Sequence, residues 1–196
     1  AIAKQGIGLF AEDSELYIKP IFYAEEGFLI AEPESTRFVM VITEAPLPKP
    51  TGFSACLSSF RRPARDMAIT DAKASSLYPN VARALKEAHA KGFDTAVVLD
   101  PASNIAEFAA ANLFMVKDGT VHTPIPNGTF LDGITRQRVI QLLAEDGARV
   151  MERAMAFEEL ADADELFSSA NASKVMPCIR LEERDLQPGP VFRRAR

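Results

Sequence analysis

Apolar residues recur along this chain in two distinct periods, and the switches between them outline the elements. The run Leu16-Tyr17-Ile18-Lys19-Pro20-Ile21-Phe22-Tyr23 is β-branched and aromatic. It predicts a buried strand, with Pro20 confining it to an edge or a bulge because proline has no N–H for a ladder. Phe38 to Ile42 reads as a second strand, and Phe53, Ala55 and Leu57 alternate within a third, Gly52 to Ser59. Between Pro79 and Gly92 the spacing changes: Val81, Leu85 and Ala88 recur at helical intervals, with Arg83, Lys86 and Glu87 facing away. Proline suits a helix's first turn and glycine its end. Thr95 to Leu99 is a short buried strand. Asn112 to Val116 leads into Lys117-Asp118-Gly119-Thr120, where Asp-Gly supplies the positive φ of a tight hairpin. Thr135 to Asp146 predicts an amphipathic helix closed by Gly147, and Arg149 to Met155 a strand.

Strands and helices mix without a regular βαβ beat, so the expected class is mixed α/β or α+β. The opening Ala1 to Gly8 reads as a frayed helix end, and Pro46-Leu47-Pro48-Lys49-Pro50-Thr51-Gly52 as a linker. With 47% hydrophobic and 25% charged residues, the chain has the composition of a packed domain rather than a disordered one. A net charge of −5 without a basic stripe argues against nucleic acid, and Arg193-Arg194-Ala195-Arg196 reads as a solvated tail. Cys56 and Cys178 are too few and too far apart for a disulfide framework, and no apolar run approaches bilayer length. These features set the expectation of a cytoplasmic protein without a membrane partner. His89 and His122 lack metal-ligand spacing to each other or to a cysteine pair, so no metal site is expected.

The chemistry concentrates around Lys73, in Ala72-Lys73-Ala74-Ser75-Ser76-Leu77-Tyr78-Pro79-Asn80. Glu107 follows in Asn104-Ile105-Ala106-Glu107, and then Leu131-Asp132-Gly133-Ile134-Thr135-Arg136. An amine, an acid, a tyrosine and a glycine-led helix start are the groups that hold pyridoxal phosphate. The amine forms a Schiff base, the acid pairs with the pyridine nitrogen, and the helix N-terminus takes the phosphate. Taken singly, each is an ordinary feature: a solvated lysine, a strand-end glutamate, a core tyrosine, one more helix start.

Their order resembles the fold-type-IV, or class IV, pyridoxal-phosphate aminotransferases, most nearly the branched-chain enzymes. The matching residues are Ala72, Lys73 and Tyr78; Glu107; Asn112-Leu113-Phe114; Thr123-Pro124; Leu131 to Arg136; and Ala163-Asp164-Glu165-Leu166-Phe167, within a resemblance running from about Tyr17 to Pro177. The resemblance implies a D-amino acid aminotransferase-like fold. It divides the chain into the end of a small N-terminal domain (1–45), a linker (46–52) and a large cofactor-binding domain (53–196). The rest of the small domain, with an arginine that clamps the phosphate in relatives, would lie ahead of Ala1.

The resemblance also implies roles. Lys73 would form the Schiff base and shuttle the proton between Cα and the cofactor, and Glu107 would keep the ring nitrogen protonated. The Tyr78 hydroxyl would bond the phenolate oxygen. Gly133, Ile134 and Thr135 would bind the phosphate while Leu131 packs on the ring. In Ser168-Ser169-Ala170-Asn171-Ala172, Asn171 stands where relatives carry a phosphate-binding threonine, and Ala172 falls in the substrate-carboxylate turn. Tyr17 and Lys19 match a Tyr-x-Arg facing the substrate, but lysine cannot reproduce arginine's fork. The implied reaction is transamination between a branched-chain or related hydrophobic amino acid and a 2-oxo acid such as 2-oxoglutarate. A D-amino acid aminotransferase, an aminodeoxychorismate lyase and a domain inactive without its other half stay open. The resemblance finally implies a homodimer, and strands such as Phe38 to Ile42 offer the apolar surface for one.

Overall fold

A computed structural model describes all 196 residues, and they fall into two compact units, Ala1–Lys49 and Pro50–Arg196. The N-terminal unit holds α1 (Ile2–Ile7) and an antiparallel ribbon of β1 (Leu16–Ala24) and β2 (Thr36–Glu44), paired from Leu16 opposite Glu44 to Ala24 opposite Thr36. Pro20 faces Met40 in a ribbon whose strands each have one partner, the setting proline tolerates. The expected burial of Leu16 to Tyr23 is corrected: no residue of β1 is buried, and Ile18, Phe22 and Tyr23 are exposed. A two-stranded ribbon covered only by the short α1 buries little within its own unit, so these residues stay open, with Phe22 packed on Phe38 at 5.1 Å between ring centroids.

The C-terminal unit runs β3 (Phe53–Arg61), α2 (Tyr78–Ala90), β4 (Thr95–Leu99), β5 (Ile105–Phe108), β6 (Asn112–Lys117), β7 (Thr120–Pro124), α3 (Ile134–Glu145), β8 (Arg149–Arg153), β9 (Glu165–Ala170), β10 (Lys174–Leu181), β11 (Arg184–Asp185) and α4 (Pro190–Ala195). The strands form one mixed sheet in the order β5-β4-β3-β10-β9-β6-β7-β8, with β11 on β10. Two βαβ crossovers are built into it, since β3 and β4 pair in parallel around α2 and β7 and β8 around α3. They lie at opposite ends of the strand order, which is why no regular beat shows in the sequence. β10 joins the halves: Lys174–Pro177 pair with β9, and Cys178–Leu181 with β3 across a register shift. The sheet curls until its ends meet, where the Ile105 N–H donates to the Met155 carbonyl at 2.8 Å.

Alternation along the strands sorts side chains between the two faces of this curl. Val97, Leu113, Met115 and Leu166 point inward with Ile105, Phe108, Met155 and Leu160. Phe114, Val116 and Phe167 point outward against Val139 and Leu143 of α3 and Phe192 of α4, with Phe114 and Phe167 stacked at 5.0 Å. Ala96 and Val98 meet α2 through Ala88 and Ala84. α2 starts at Tyr78 with Pro79 in its first turn, and Gly92 just beyond its end adopts φ +82°. Glu87, expected to face away, turns instead to β3, accepting bonds from Ser58 Oγ (2.8 Å) and the Ser59 N–H (2.9 Å). No helix is long and apolar enough to cross a membrane.

Candidate active site

Glu107 lies on β5, a four-residue strand buried along its whole length. A tight turn returns the chain from β4 to make it: the Asn104 N–H donates to Asp100 Oδ1, the Asp100 N–H donates to the Asn104 carbonyl, and Ser103 takes φ +70°. The Glu107 side chain is therefore inside, at 7% exposure, rather than at a surface strand end. Its carboxylate makes no hydrogen bond; Arg62 Nε stands 3.4 Å from Oε1, with both side chains buried. Burial pushes the Glu107 carboxyl up to about 8, against the opposing pull of the Arg62 and Lys73 charges.

Lys73 belongs to the segment between β3 and α2, just ahead of a single turn, Ser75–Leu77, that runs into the helix. It is exposed, yet close enough to Glu107 for its charge to act on that carboxyl. Two side chains hold its segment to the loop preceding α3. Arg62 Nε donates to the Thr129 carbonyl at 2.9 Å, and Thr70 Oγ1 donates to the Gly128 carbonyl. The adjacent carbonyls of Gly128 and Thr129 thus register the lysine's arm and the acid's partner against one loop. Tyr78 is the first residue of α2 and 48% exposed.

That loop leads through Leu131 to Gly133, the residue preceding α3. No side chain caps α3, so the first-turn N–H groups at Ile134 and Thr135 are open to an anion. The helix start is fixed by Arg136, fully buried, whose guanidinium reaches Asp132 (2.6 Å), Glu152 (2.6 Å) and the Pro124 carbonyl (2.8 Å). Asn112 Nδ2 donates to the Leu131 carbonyl at 2.9 Å, and Asn112 lies opposite Ser169 in the β6–β9 ladder. Ser169 Oγ is buried without a hydrogen-bond partner. Two residues on, Asn171 and Ala172 are exposed in the β9–β10 turn, where Lys174 Nζ donates to Asn171 Oδ1 at 3.1 Å.

A series of contacts therefore links Glu107 through Arg62, Thr129, Leu131 and Asn112 to the start of α3 and to β9, which ends one residue before Asn171, and the Lys73 charge acts on the same carboxyl. Tyr17 and Lys19 are on β1, in the N-terminal unit, two residues apart on one face of the ribbon. Sequence reasoning passed over Arg62, Thr70, Asn112 as a side chain in its own right, and Ser169. The doublet Arg61-Arg62 at the end of β3 was the available signal. Only the fold separates its members: Arg62 is buried, whereas Arg61 is exposed and donates to the Asp100 carbonyl.

The sequence matches the family described as Amino-transferase class IV over residues 2–181. The chain belongs to that family. Among curated relatives of this class IV chain, the branched-chain-amino-acid aminotransferase of Pseudomonas aeruginosa is 32% identical over 182 residues, covering 88% of the chain and 58% of that protein. A probable branched-chain-amino-acid aminotransferase of Aquifex aeolicus is 33% identical, covering 90% and 58%. The class IV chain thus spans under two thirds of the length of these relatives. Among solved structures, an aminotransferase from Brucella abortus bound to the co-factor PLP superposes with a TM-score of 0.97 at 48% identity, over 99% of this chain and 70% of that one. The branched-chain amino acid aminotransferase of Escherichia coli gives 0.85 at 31% identity, over 92% and 63%. The D-amino acid aminotransferase-like fold expected from the motifs is thereby the fold of this class IV chain.

Proposed function

We propose that this chain carries the pyridoxal phosphate site of an aminotransferase that moves an amino group between a branched-chain or related hydrophobic amino acid and a 2-oxo acid such as 2-oxoglutarate. The observation that carries the reading is Glu107: a buried carboxyl without a hydrogen bond, 3.4 Å from Arg62 Nε and within reach of the charge of an accessible lysine. A buried acid in that state is stabilised by a cation brought against it, and a protonated pyridine ring is such a cation. An uncapped helix start and the unpartnered Ser169 hydroxyl, linked to the same loop through Asn112, suit the ring's phosphate. The donor set fits the cofactor, and relatives bearing the aminotransferase name support the same reading.

When bound, pyridoxal phosphate supplies an aldehyde that captures amines and a ring that accepts the electron pair released at the amino acid's Cα. Lys73 Nζ would hold the cofactor and would carry the proton to and from the substrate Cα. Glu107 holds the proton on the ring nitrogen. The N–H groups of Ile134 and Thr135, with Gly133, Leu131 and Asn171, grip the phosphate end. Tyr78 would order the ring oxygen, and Ala172 the substrate carboxylate. A panel of L- and D-amino acids with 2-oxoglutarate and added pyridoxal phosphate tests this: turnover highest with leucine, isoleucine or valine supports it, and absence of transamination with every donor overturns it.

The same reading includes a homodimer. The N-terminal unit exposes Phe22, Leu29, Ile30 and Val41, with Phe28 99% exposed, a surface of the kind buried against a second copy. Light scattering giving twice the mass of the chain supports it, and a monomer at micromolar concentration contradicts it.

A further inference from the structure

We propose that Arg62 is the positioning residue of this site: one buried guanidinium holds the Glu107 carboxylate on β5 and the Thr129 carbonyl of the loop entering α3, and so fixes the acid against the helix start. The inference rests on the cofactor reading above and adds a residue to it. Arg62 Nε is the shared point, 2.9 Å from the Thr129 carbonyl oxygen and 3.4 Å from Glu107 Oε1. The shorter contact is a hydrogen bond and the longer an ion pair, so the guanidinium is anchored on the loop and presents its charge to the acid. Arg62 emerges from the end of β3, where its own N–H donates to the Leu99 carbonyl at 2.8 Å, so its backbone is tied to the sheet as well.

Three segments distant in sequence meet at this one side chain: the end of β3, the short strand β5 and the loop before α3. Thr70 adds a second tie to the same loop, three residues ahead of Lys73. A buried arginine left without a carboxylate is costly, and so is a buried carboxylate left without a cation, so each fixes the other. The charged groups acting on Glu107 are Arg62 and Lys73. Lys73 is exposed and is the group that a cofactor would engage, whereas Arg62 is buried and remains in place throughout. Arg62 thus opposes the effect of burial on Glu107 and holds the carboxyl in place whatever the state of the lysine.

The test labels glutamate side chains with ¹³C and follows the Glu107 carboxyl against pH in protein free of cofactor, with Glu107→Gln assigning the signal. Wild type, Arg62→Met and Arg62→Lys are compared, with circular dichroism monitoring the fold. Removing a nearby opposite charge raises an acid's midpoint by about one pH unit or more, so Arg62→Met is expected to titrate that much higher than wild type. Arg62→Lys restores the charge and is expected to return the midpoint towards wild type. Pyridoxal phosphate binding at pH 7.5, measured separately, is expected to weaken only about two- to threefold in Arg62→Met, since the phosphate provides most of the grip. An unchanged Glu107 midpoint in both variants overturns the proposal. Should Arg62→Met not fold, Arg62→Gln, which keeps an N–H donor for the Thr129 carbonyl and removes the charge, decides in its place: a midpoint raised by about one pH unit supports the proposal, and an unchanged one overturns it. Failure of wild type to bind pyridoxal phosphate would instead overturn the cofactor reading, leaving the titration result standing.

Discussion

Asn112 Oδ1 occupies the space into which a side chain on residue 133 would grow: a Cβ at Gly133 would lie 2.4 Å from it. The backbone at Gly133 is extended, with φ −62° and ψ 138°, a conformation open to any residue. Glycine is therefore required there for room rather than for conformational freedom. Asn112 is not free to swing aside, because its Nδ2 donates to the Leu131 carbonyl. Gly133→Ala is expected to displace the start of α3 and weaken pyridoxal phosphate binding by about tenfold, the scale of one lost hydrogen bond to a charged group. Adding Asn112→Ala should recover part of that loss. Fluorescence titration with the cofactor across the four proteins of the double-mutant cycle checks both statements.

Lys73 is expected to carry the cofactor. Borohydride reduction of the loaded protein followed by peptide mapping should place the adduct there, and finding it on Lys86 of α2 or on Lys91 just beyond it would reject the assignment.

Glu107→Gln is expected to lower kcat by about 10²-fold while weakening cofactor binding by far less, since the acid acts on the ring's electrons and the phosphate provides most of the grip. Equal losses in steady-state rate and in cofactor affinity would make Glu107 a packing residue.

Glu165 fixes the C-terminal helix. Its buried carboxylate accepts the N–H groups of Val191 (3.0 Å) and Phe192 (2.8 Å) at the start of α4. Glu165→Gln is expected to cost about 1–2 kcal/mol in urea unfolding, the range for a charge-assisted bond replaced by a neutral one. Gly189→Ala should act in the same direction, because a Cβ there would stand 2.0 Å from the Glu165 carboxyl carbon.

His122 makes stability depend on pH. Arg153 Nε donates to its Nδ1 at 3.1 Å, which requires an unprotonated ring nitrogen. Burial, then the Arg153 charge, hold the imidazole below its usual range. The folded state thus binds this proton less readily than the unfolded chain, so the contribution is present above the ordinary histidine pKa and is lost as pH falls below it. Melting temperatures measured from about pH 8 to about pH 5 should fall more for wild type than for His122→Asn, which keeps an acceptor and cannot titrate.

Local signals carried much of this architecture. Pro79 and Gly92 bracket α2 because proline fits a first helical turn and glycine the left-handed residue beyond the last, and both effects act within a few residues. The Asp118-Gly119 turn and the helix after Gly133 were legible for the same reason. Lys73, Tyr78, Glu107 and the Leu131 to Arg136 run could be picked out because their order along the chain is itself a pattern.

What only the tertiary structure decided depends on separation in sequence. β10 pairs with β9 through one half and with β3, more than a hundred residues earlier, through the other. That pairing makes one curled sheet from two crossovers, and no local period encodes it. Burial follows the same rule: Ile18, Phe22 and Tyr23 of β1 look like core in the sequence but are exposed in a two-stranded ribbon, while the packing around β5 encloses all four of its residues, Glu107 included. Arg61 and Arg62 are neighbours of identical type, and the sheet alone turns one outward and brings the other against Glu107. Sequence sets which groups are present and how the chain turns locally; which charges end up buried together is set by long-range packing, because burial is a property of the layers around a residue and not of the residue itself.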